Sequence, residues 1–390
     1  MRLAVFARLS GRLSEMSRFV VAVAALLVAP ALLGPFAAAQ AQQRSLAFQG
    51  TTRDYILHVP KNIPPGPRPL VIALHGALQS AGIMQRYLDL DAVADREGFV
   101  VAYPKGINLI WNDGRASVAG FLPILHARDD AGFVLAVRDQ LVAEGLADPG
   151  RAYLMGFSNG GFLTAFIACR HADGFAAFAT MMMTVPVGYA ESCKPSRPVP
   201  ILMMNGTYDP IVPMFGRPTP GARLMSARES AQLFARIDGC ASPEVSEAPN
   251  AVIFRFNSCA GGAAVAYYEI AGGHQPPPQS IDAGDALAAL LLGPRRSGID
   301  APNEIWSFFK RYGTPGQPVP DEPAPGTAGT LAADVPAAGR LAAAAEPLPL
   351  RPGAAGVGAA RPGATRAATT LASVPLPLAS PLRRKSASAE

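Results

Sequence analysis

A strand-like run, a five-residue turn and a helix-like run follow one another without a break between Arg151 and Cys169. Arg151-Ala152-Tyr153-Leu154-Met155 leads in, Gly156-Phe157-Ser158-Asn159-Gly160 turns, and Gly161-Phe162-Leu163-Thr164-Ala165-Phe166-Ile167-Ala168-Cys169 leads out. A Gly-x-Ser-x-Gly pattern alone is a weak signal that can equally end any buried strand. Between a strand and a helix it describes a nucleophile elbow, a tight turn that holds a serine hydroxyl above the end of a sheet. Such a turn brings the backbone close to itself, so small residues must flank the serine. This segment therefore points to a parallel α/β sheet and to Ser158 as a candidate nucleophile.

The partners of the serine follow by elimination. In chains with this elbow the triad runs Ser, then Asp or Glu, then His. Of five histidines only His171 and His274 follow Ser158. His171 ends the elbow helix, about three turns from the serine, where a cation suits a helix C-terminus. His274 stands in Gly272-Gly273-His274-Gln275-Pro276, after the strand-like Val265-Ala266-Tyr267-Tyr268-Glu269-Ile270. A loop at a strand end is where catalytic groups concentrate, so His274 is the candidate base. The buried-strand run Pro200-Ile201-Leu202-Met203-Met204 precedes Asn205-Gly206-Thr207-Tyr208-Asp209-Pro210. Asp209 is thus the candidate acid, accepting a hydrogen bond from His274 Nδ1. Its rivals are Asp173, too near the elbow helix, and Asp238, which reads as the end of a helix over Ala227–Ile237.

A third strand, Pro69–Leu74, runs into His75-Gly76-Ala77-Leu78. In this fold the following loop gives one backbone N–H to an oxyanion hole, and the residue after the nucleophile gives the other. Ala77 and Asn159 are the expected donors, with Leu78 as a possible addition, and His75 reads as a loop-shaping residue. Trp111, one of two tryptophans, lies in a polar loop after Phe99–Tyr103. It suits equally an aromatic platform for substrate binding or a large ring that anchors the loop. Asp129 and Asp130 read as an N-cap and first-turn charge for a helix over Ala131–Glu144. No His/Cys/Asp cluster has metal-ligand spacing, so no metal is expected.

Strand-like runs at Tyr55–Val59, Leu70–Leu74, Phe99–Tyr103, Arg151–Met155, Ile201–Met204 and Val265–Ile270 alternate with helical stretches. That alternation predicts a mostly parallel twisted sheet with helices on both faces. Residues 42–313 are expected to form this one domain. Before it, Arg2, Arg8, Arg12 and Arg18 precede an apolar run from Phe19 to Leu33 and the small residues Ala37-Ala38-Ala39-Gln40-Ala41. This is the pattern of an export signal over 1–41, with cleavage after Ala41. Its apolar run is short for a stable membrane span. Residues 314–390 are rich in Ala, Pro and Gly and nearly lack aromatics, a composition expected to stay disordered. The net charge of +5 resides at the ends. Four arginines against Glu15 lie in the first 41 residues, and seven cations against five carboxylates follow residue 313. The domain is near neutral, which gives no support for nucleic-acid binding. Cys169, Cys193, Cys240 and Cys259 suit disulfides in an oxidising compartment. Three pairings are open, and the sequential one closes loops of about 20–25 residues.

Taken in order, Leu74-His75-Gly76, Tyr103-Pro104, Trp111-Asn112, Asp129–Phe133, Gly156–Gly161, Asn205–Pro213 and Gly272-Gly273-His274 resemble the esterase family of polyhydroxybutyrate depolymerases and feruloyl or acetylxylan esterases. The run Ile299–Phe309 is similar to that family's closing helix. The resemblance covers about residues 45 to 312. It implies an α/β-hydrolase fold, a secreted or lipid-anchored esterase, no cofactor, and the same Ser158, Asp209 and His274; with the export signal, a secreted or periplasmic protein is expected. Two departures stand out: the family's Thr-Trp after the histidine is here Gln275-Pro276, and its aromatic after Val-Pro is here Met214. The expected activity is that of a serine carboxylesterase on short hydroxyalkanoate esters. The alternative is a feruloyl- or acetylxylan-type polysaccharide esterase, and the remote one a non-catalytic hydrolase-fold binding protein.

Overall fold

The apolar runs become the buried centre of one sheet, and the glycine- and proline-rich segments between them become its rims. The computed structural model describes residues 41–61, 66–115, 117–118, 122–123, 128–219, 222–277, 283–296 and 298–313. The expected export signal, apart from Ala41, and the expected tail lie outside the described residues. The main sheet has ten strands: β1 (Ala41–Phe48), β2 (Thr51–His58), β3 (Arg68–Leu74), β4 (Val100–Pro104), β5 (Ala147–Phe157), β6 (Ala177–Met181), β7 (Ile201–Gly206), β8 (Glu244–Ala248), β9 (Ala251–Phe256) and β10 (Val265–Ile270). Across the sheet they stand in the order β1-β2-β4-β3-β5-β6-β7-β10-β9-β8. The six from β4 to β10 are parallel. Antiparallel pairs close both edges, β1 and β2 on one side and β9 and β8 on the other.

Parallel neighbours need crossover connections, and the crossing helices bury both faces of the sheet. The alternation of side chains divides the core accordingly. Leu70, Ile72 and Leu74 pack into one cluster with α3 (Asp130–Ala143), α4 (Asn159–Arg170) and α5 (Ala227–Ile237). Val71 and Ala73 point to the other face, where α1 (Ala81–Leu88), α2 (Leu90–Glu97) and α7 (Ala301–Phe309) pack. A further helix, α6 (Ala283–Leu292), follows the loop that carries His274.

The helix ends carry their expected chemistry. The Asp129 side chain accepts from the Gly132 N–H at 2.7 Å. Asp130, fully buried, reaches Arg53 at 2.8 Å. Ser226 and Glu229 close a reciprocal capping box at the start of α5, which ends at Ile237 with Asp238 as its C-cap. His171 is the exposed C-cap of α4. The cysteines pair sequentially, Cys169–Cys193 and Cys240–Cys259.

Four strands go beyond the sequence reading, the edge strand β1 among them. β6 is written Ala-Phe-Ala-Thr-Met, and its alanines carry a helical rather than a strand propensity. Burial between β5 and β7 decides it. In the β8–β9 hairpin the outer strand β8 is exposed up to half-buried Ala248, while β9 buries Ala251, Ile253 and Phe256 and leaves Val252, Phe254 and Arg255 half-buried, as the edge of a sheet does. It extends the sheet beyond β10, and the sequence reading assigned no strand to it.

Candidate active site

β5 delivers Ser158 at its C-terminal end and α4 begins at the next residue. Ser158 has φ 51° and ψ −117°, a strained backbone that the surrounding contacts must hold. Its N–H donates to Met181 O on β6 at 2.8 Å. The flanking glycines are steric requirements. A Cβ on Gly156 would lie 2.2 Å from Gly160 O, and one on Gly160 would lie 2.4 Å from Leu74 O. The elbow is therefore pressed against the end of β3, the strand that leads to Ala77.

The three residues selected from the sequence meet at the C-terminal ends of β5, β7 and β10. His274 Nε2 is 2.9 Å from Ser158 Oγ, and His274 Nδ1 is 2.7 Å from Asp209 Oδ2. Asp209 Oδ1 accepts from the N–H groups of Ile211 (2.8 Å) and Val212 (2.7 Å). One carboxylate oxygen is thus fixed by backbone and the other is left to the histidine. His274 and Asp209 are each 5% exposed. The His274 N–H donates to Leu292 O and Gly273 N–H to Pro294 O, so the segment after α6 straps the histidine loop in place. Phe157 lies beside the imidazole, ring centroids 5.1 Å apart. His171 and Asp173 are solvent-exposed, and Asp238 is engaged by the Val199 N–H at 2.9 Å. None of these rivals makes a hydrogen bond to Ser158 or His274.

The Ala77 and Asn159 N–H groups have no acceptor among the described residues. The Leu78 N–H, by contrast, donates to Leu109 O at 2.8 Å and is spoken for. His75 sits beneath this turn, fully buried. Its Nδ1 faces Gly76 O at 2.7 Å, and its Nε2 accepts from the Gly106 N–H at 2.9 Å. One nitrogen faces an acceptor and the other a donor, which defines a neutral ring with its proton on Nδ1. Burial pushes its pKa down to about 4, against a smaller opposing contribution from the Gly76 carbonyl. It is a spacer and not a base, as its place in the sequence suggested.

Trp111 is completely buried. Its indole N–H donates to His75 O at 2.9 Å, and its ring lies 4.8 Å from that imidazole. A ring with no exposed surface offers no platform to a substrate, so the loop-anchor reading replaces the substrate-binding one. Gln275, which stands where the family has its threonine, is buried, accepting from Tyr87 O–H at 3.0 Å and donating to Gly293 O at 2.7 Å. No group of three or more His, Cys, Asp or Glu with metal-binding geometry exists among the described residues. No described helix is long and apolar enough to cross a membrane.

Sequence reasoning missed Asp113 and Arg115. The one signal they give is Asp-Gly-Arg, a tight turn that lets two opposite charges fold onto each other.

Comparison with known proteins gives a consistent result. Residues 53–212 match the family model described as esterase PHB depolymerase. The chain is 33% identical over 231 residues to the putative esterase NocK of Nocardia uniformis subsp. tsuyamanensis, covering 56% of this chain and 66% of that protein. It is 30% identical over 234 residues to the bifunctional acetylxylan esterase/xylanase XynS20E of Neocallimastix patriciarum, covering 60% and 32%. The chain thus spans just under two thirds of the first relative and about a third of the second. Among solved structures, the acetyl xylan esterase from Aspergillus awamori aligns at TM-score 0.46 and 14% identity, over 62% of this chain and 96% of that one.

Proposed function

Because the chain belongs to the esterase family of polyhydroxybutyrate depolymerases, we propose that it is a serine carboxylesterase with Ser158, His274 and Asp209 as its triad. The observation that carries this is the unbroken hydrogen-bonded line from Ser158 Oγ through both ring nitrogens of His274 to Asp209, at 2.9 and 2.7 Å. His274 Nε2 takes the proton of Ser158 Oγ as the oxygen attacks the ester carbonyl. Asp209 holds the Nδ1–H tautomer and stabilises the imidazolium that forms. The carbonyl oxygen, now an oxyanion, accepts from the Ala77 and Asn159 N–H groups. The imidazolium returns its proton to the leaving alcohol. Water then attacks the acyl-enzyme with His274 again as base, releasing the acid and restoring Ser158.

Short hydroxyalkanoate esters are the proposed substrates. The exposed aromatic side chains of Tyr208, next to the proposed acid, and of Phe215 suit a weakly polar chain. A polysaccharide ester is the second reading, favoured by the likeness to XynS20E. The two disulfides suit export to an oxidising compartment. A hydrolysis panel tests the proposal: p-nitrophenyl acetate, butyrate and octanoate, methyl ferulate and a hydroxybutyrate oligomer, each against Ser158→Ala. Serine-dependent turnover with preference for the oligomer is expected. Preference for the ferulate would move the assignment to the second reading, and no serine-dependent turnover would overturn both.

A further inference from the structure

Arg115, Asp113 and the side chain of Asn159 form a buried line of contacts that the triad does not use. The Asp113 carboxylate takes four donors. Oδ1 accepts from the backbone N–H and the Nε of Arg115, both at 3.0 Å, and Oδ2 from Arg115 Nη2 at 2.6 Å and Asn159 Nδ2 at 2.7 Å. The guanidinium lies 3.4 Å from the centroid of Phe162, and the two charged side chains are 7% and 0% exposed. Gly114, at φ +82° with the Phe166 ring against it, makes the turn between them. The desolvation of such a pair offsets much of its attraction, so it adds little to net stability. Its consequence lies in what Asp113 holds.

Asn159 is completely buried, and its carboxamide grips the backbone of Trp111 from both sides. Oδ1 accepts from the Trp111 N–H at 2.7 Å, and Nδ2 donates to Trp111 O at 3.2 Å. The Trp111 indole in turn holds His75 O, and Leu109 O holds the Leu78 N–H. The two turns that present the free N–H groups of Ala77 and Asn159 are thus both fastened to the 106–115 loop. A carboxamide rotated by half a turn would exchange its oxygen and nitrogen and set N–H against N–H at Trp111. The carboxylate of Asp113 excludes that orientation, because it accepts only.

We infer that Asp113, neutralised by Arg115, is a positioning residue that fixes the Asn159 carboxamide and thereby makes the Ala77 and Asn159 N–H groups converge on one oxyanion. The inference rests on the esterase reading above. It predicts an effect on the transition state and little on the ground state.

The test is steady-state kinetics on p-nitrophenyl acetate, normalised by active-site titration, for wild type, Ser158→Ala, Asp113→Ala and the double variant Asp113→Asn/Arg115→Met. Binding of a trifluoromethyl ketone, which mimics the tetrahedral adduct, is measured alongside. Asp113→Ala is expected to lower kcat roughly 10- to 100-fold with KM within about threefold, and to weaken the ketone by a similar factor. The double variant leaves no lone buried charge and keeps an amide oxygen for Asn159 Nδ2, although an amide, which also donates, holds the orientation less firmly than the carboxylate. It should recover to within about fivefold of wild type. Wild-type kcat in Asp113→Ala would overturn the inference. So would a kcat loss without matching loss of ketone affinity, or a folded double variant as slow as Asp113→Ala. Wild type no faster than Ser158→Ala would instead overturn the esterase reading, and the inference with it.

Discussion

Gly160 is the position where one methyl group should separate catalysis from folding most sharply. A Cβ there would stand 2.4 Å from Leu74 O and 2.6 Å from His75 O, both backbone atoms at the end of β3, whereas ordinary contact begins near 3.4 Å. Neither carbonyl can rotate away, so Gly160→Ala must move the elbow and the β3 end apart by about 1 Å. Those two segments carry the proposed oxyanion donors, Asn159 and Ala77. Losing one such donor elsewhere costs about 100- to 1000-fold in rate, and a 1 Å misplacement about 100-fold. The expected loss in kcat for Gly160→Ala is therefore at least about 100-fold, with an overpacking cost of about 1–3 kcal/mol in stability. Gly188→Ala is the control. Gly188 has φ −62° and no atom within 4 Å of its added Cβ, so both activity and stability should be unchanged. The assay is p-nitrophenyl acetate hydrolysis per titrated site, with thermal unfolding in parallel. A folded Gly160→Ala protein within threefold of wild type would refute the argument, and so would a Gly188→Ala protein equally impaired.

Three further outcomes follow from the same geometry. Peptide mapping of non-reduced protein should find Cys169–Cys193 and Cys240–Cys259; their separations of 24 and 19 residues make each bridge worth about 3 kcal/mol by loop entropy, read as a lower unfolding midpoint on reduction. Asp130→Ala should cost about 3–5 kcal/mol in denaturant unfolding, since it leaves Arg53 buried with no counter-charge at a site 4% exposed. The buried His75, with its pKa lowered to about 4 from 6.5, is protonated in the unfolded chain before the folded one as pH falls. Its stabilising contribution is complete above pH 6.5 and shrinks by about 3 kcal/mol on descent to pH 4. Nitrogen NMR of the imidazole should show a neutral Nδ1–H tautomer at pH 5.5, and titration of His75 near 6.5 would contradict its burial.

The catalytic candidates were legible because each is announced by local chemistry. Ser158 sits between glycines that a tight turn demands, and Asp209 and His274 each follow an apolar strand and a turn-forming run. Chain order then left two histidines and three aspartates in view, and their places relative to helix and strand ends chose His274 and Asp209. The central strands were legible for a related reason, since a strand buried on both faces reads as a continuous apolar run. β6 was not, because Ala177 and Ala179 are too small to declare a strand until β5 and β7 enclose them. The Asp113–Arg115–Asn159 line was also hidden. Asp113 and Asn159 are 46 residues apart, and only the crossing of the 106–115 loop over the elbow brings them together. Trp111 shows the limit of residue-type reasoning: a lone tryptophan in a polar loop suits a platform and an anchor equally, and only its complete burial decides for the anchor.

The central claim is that Ser158 becomes acylated and His274 drives the step. The direct measurement is rapid-quench mass spectrometry after mixing with p-nitrophenyl acetate, with peptide mapping of the modified residue. The account predicts a burst of p-nitrophenol and one acetyl group on the peptide carrying Ser158, absent in Ser158→Ala and slowed by roughly 100-fold or more in His274→Ala. Acetylation at any other residue, or turnover that persists in Ser158→Ala, would contradict it.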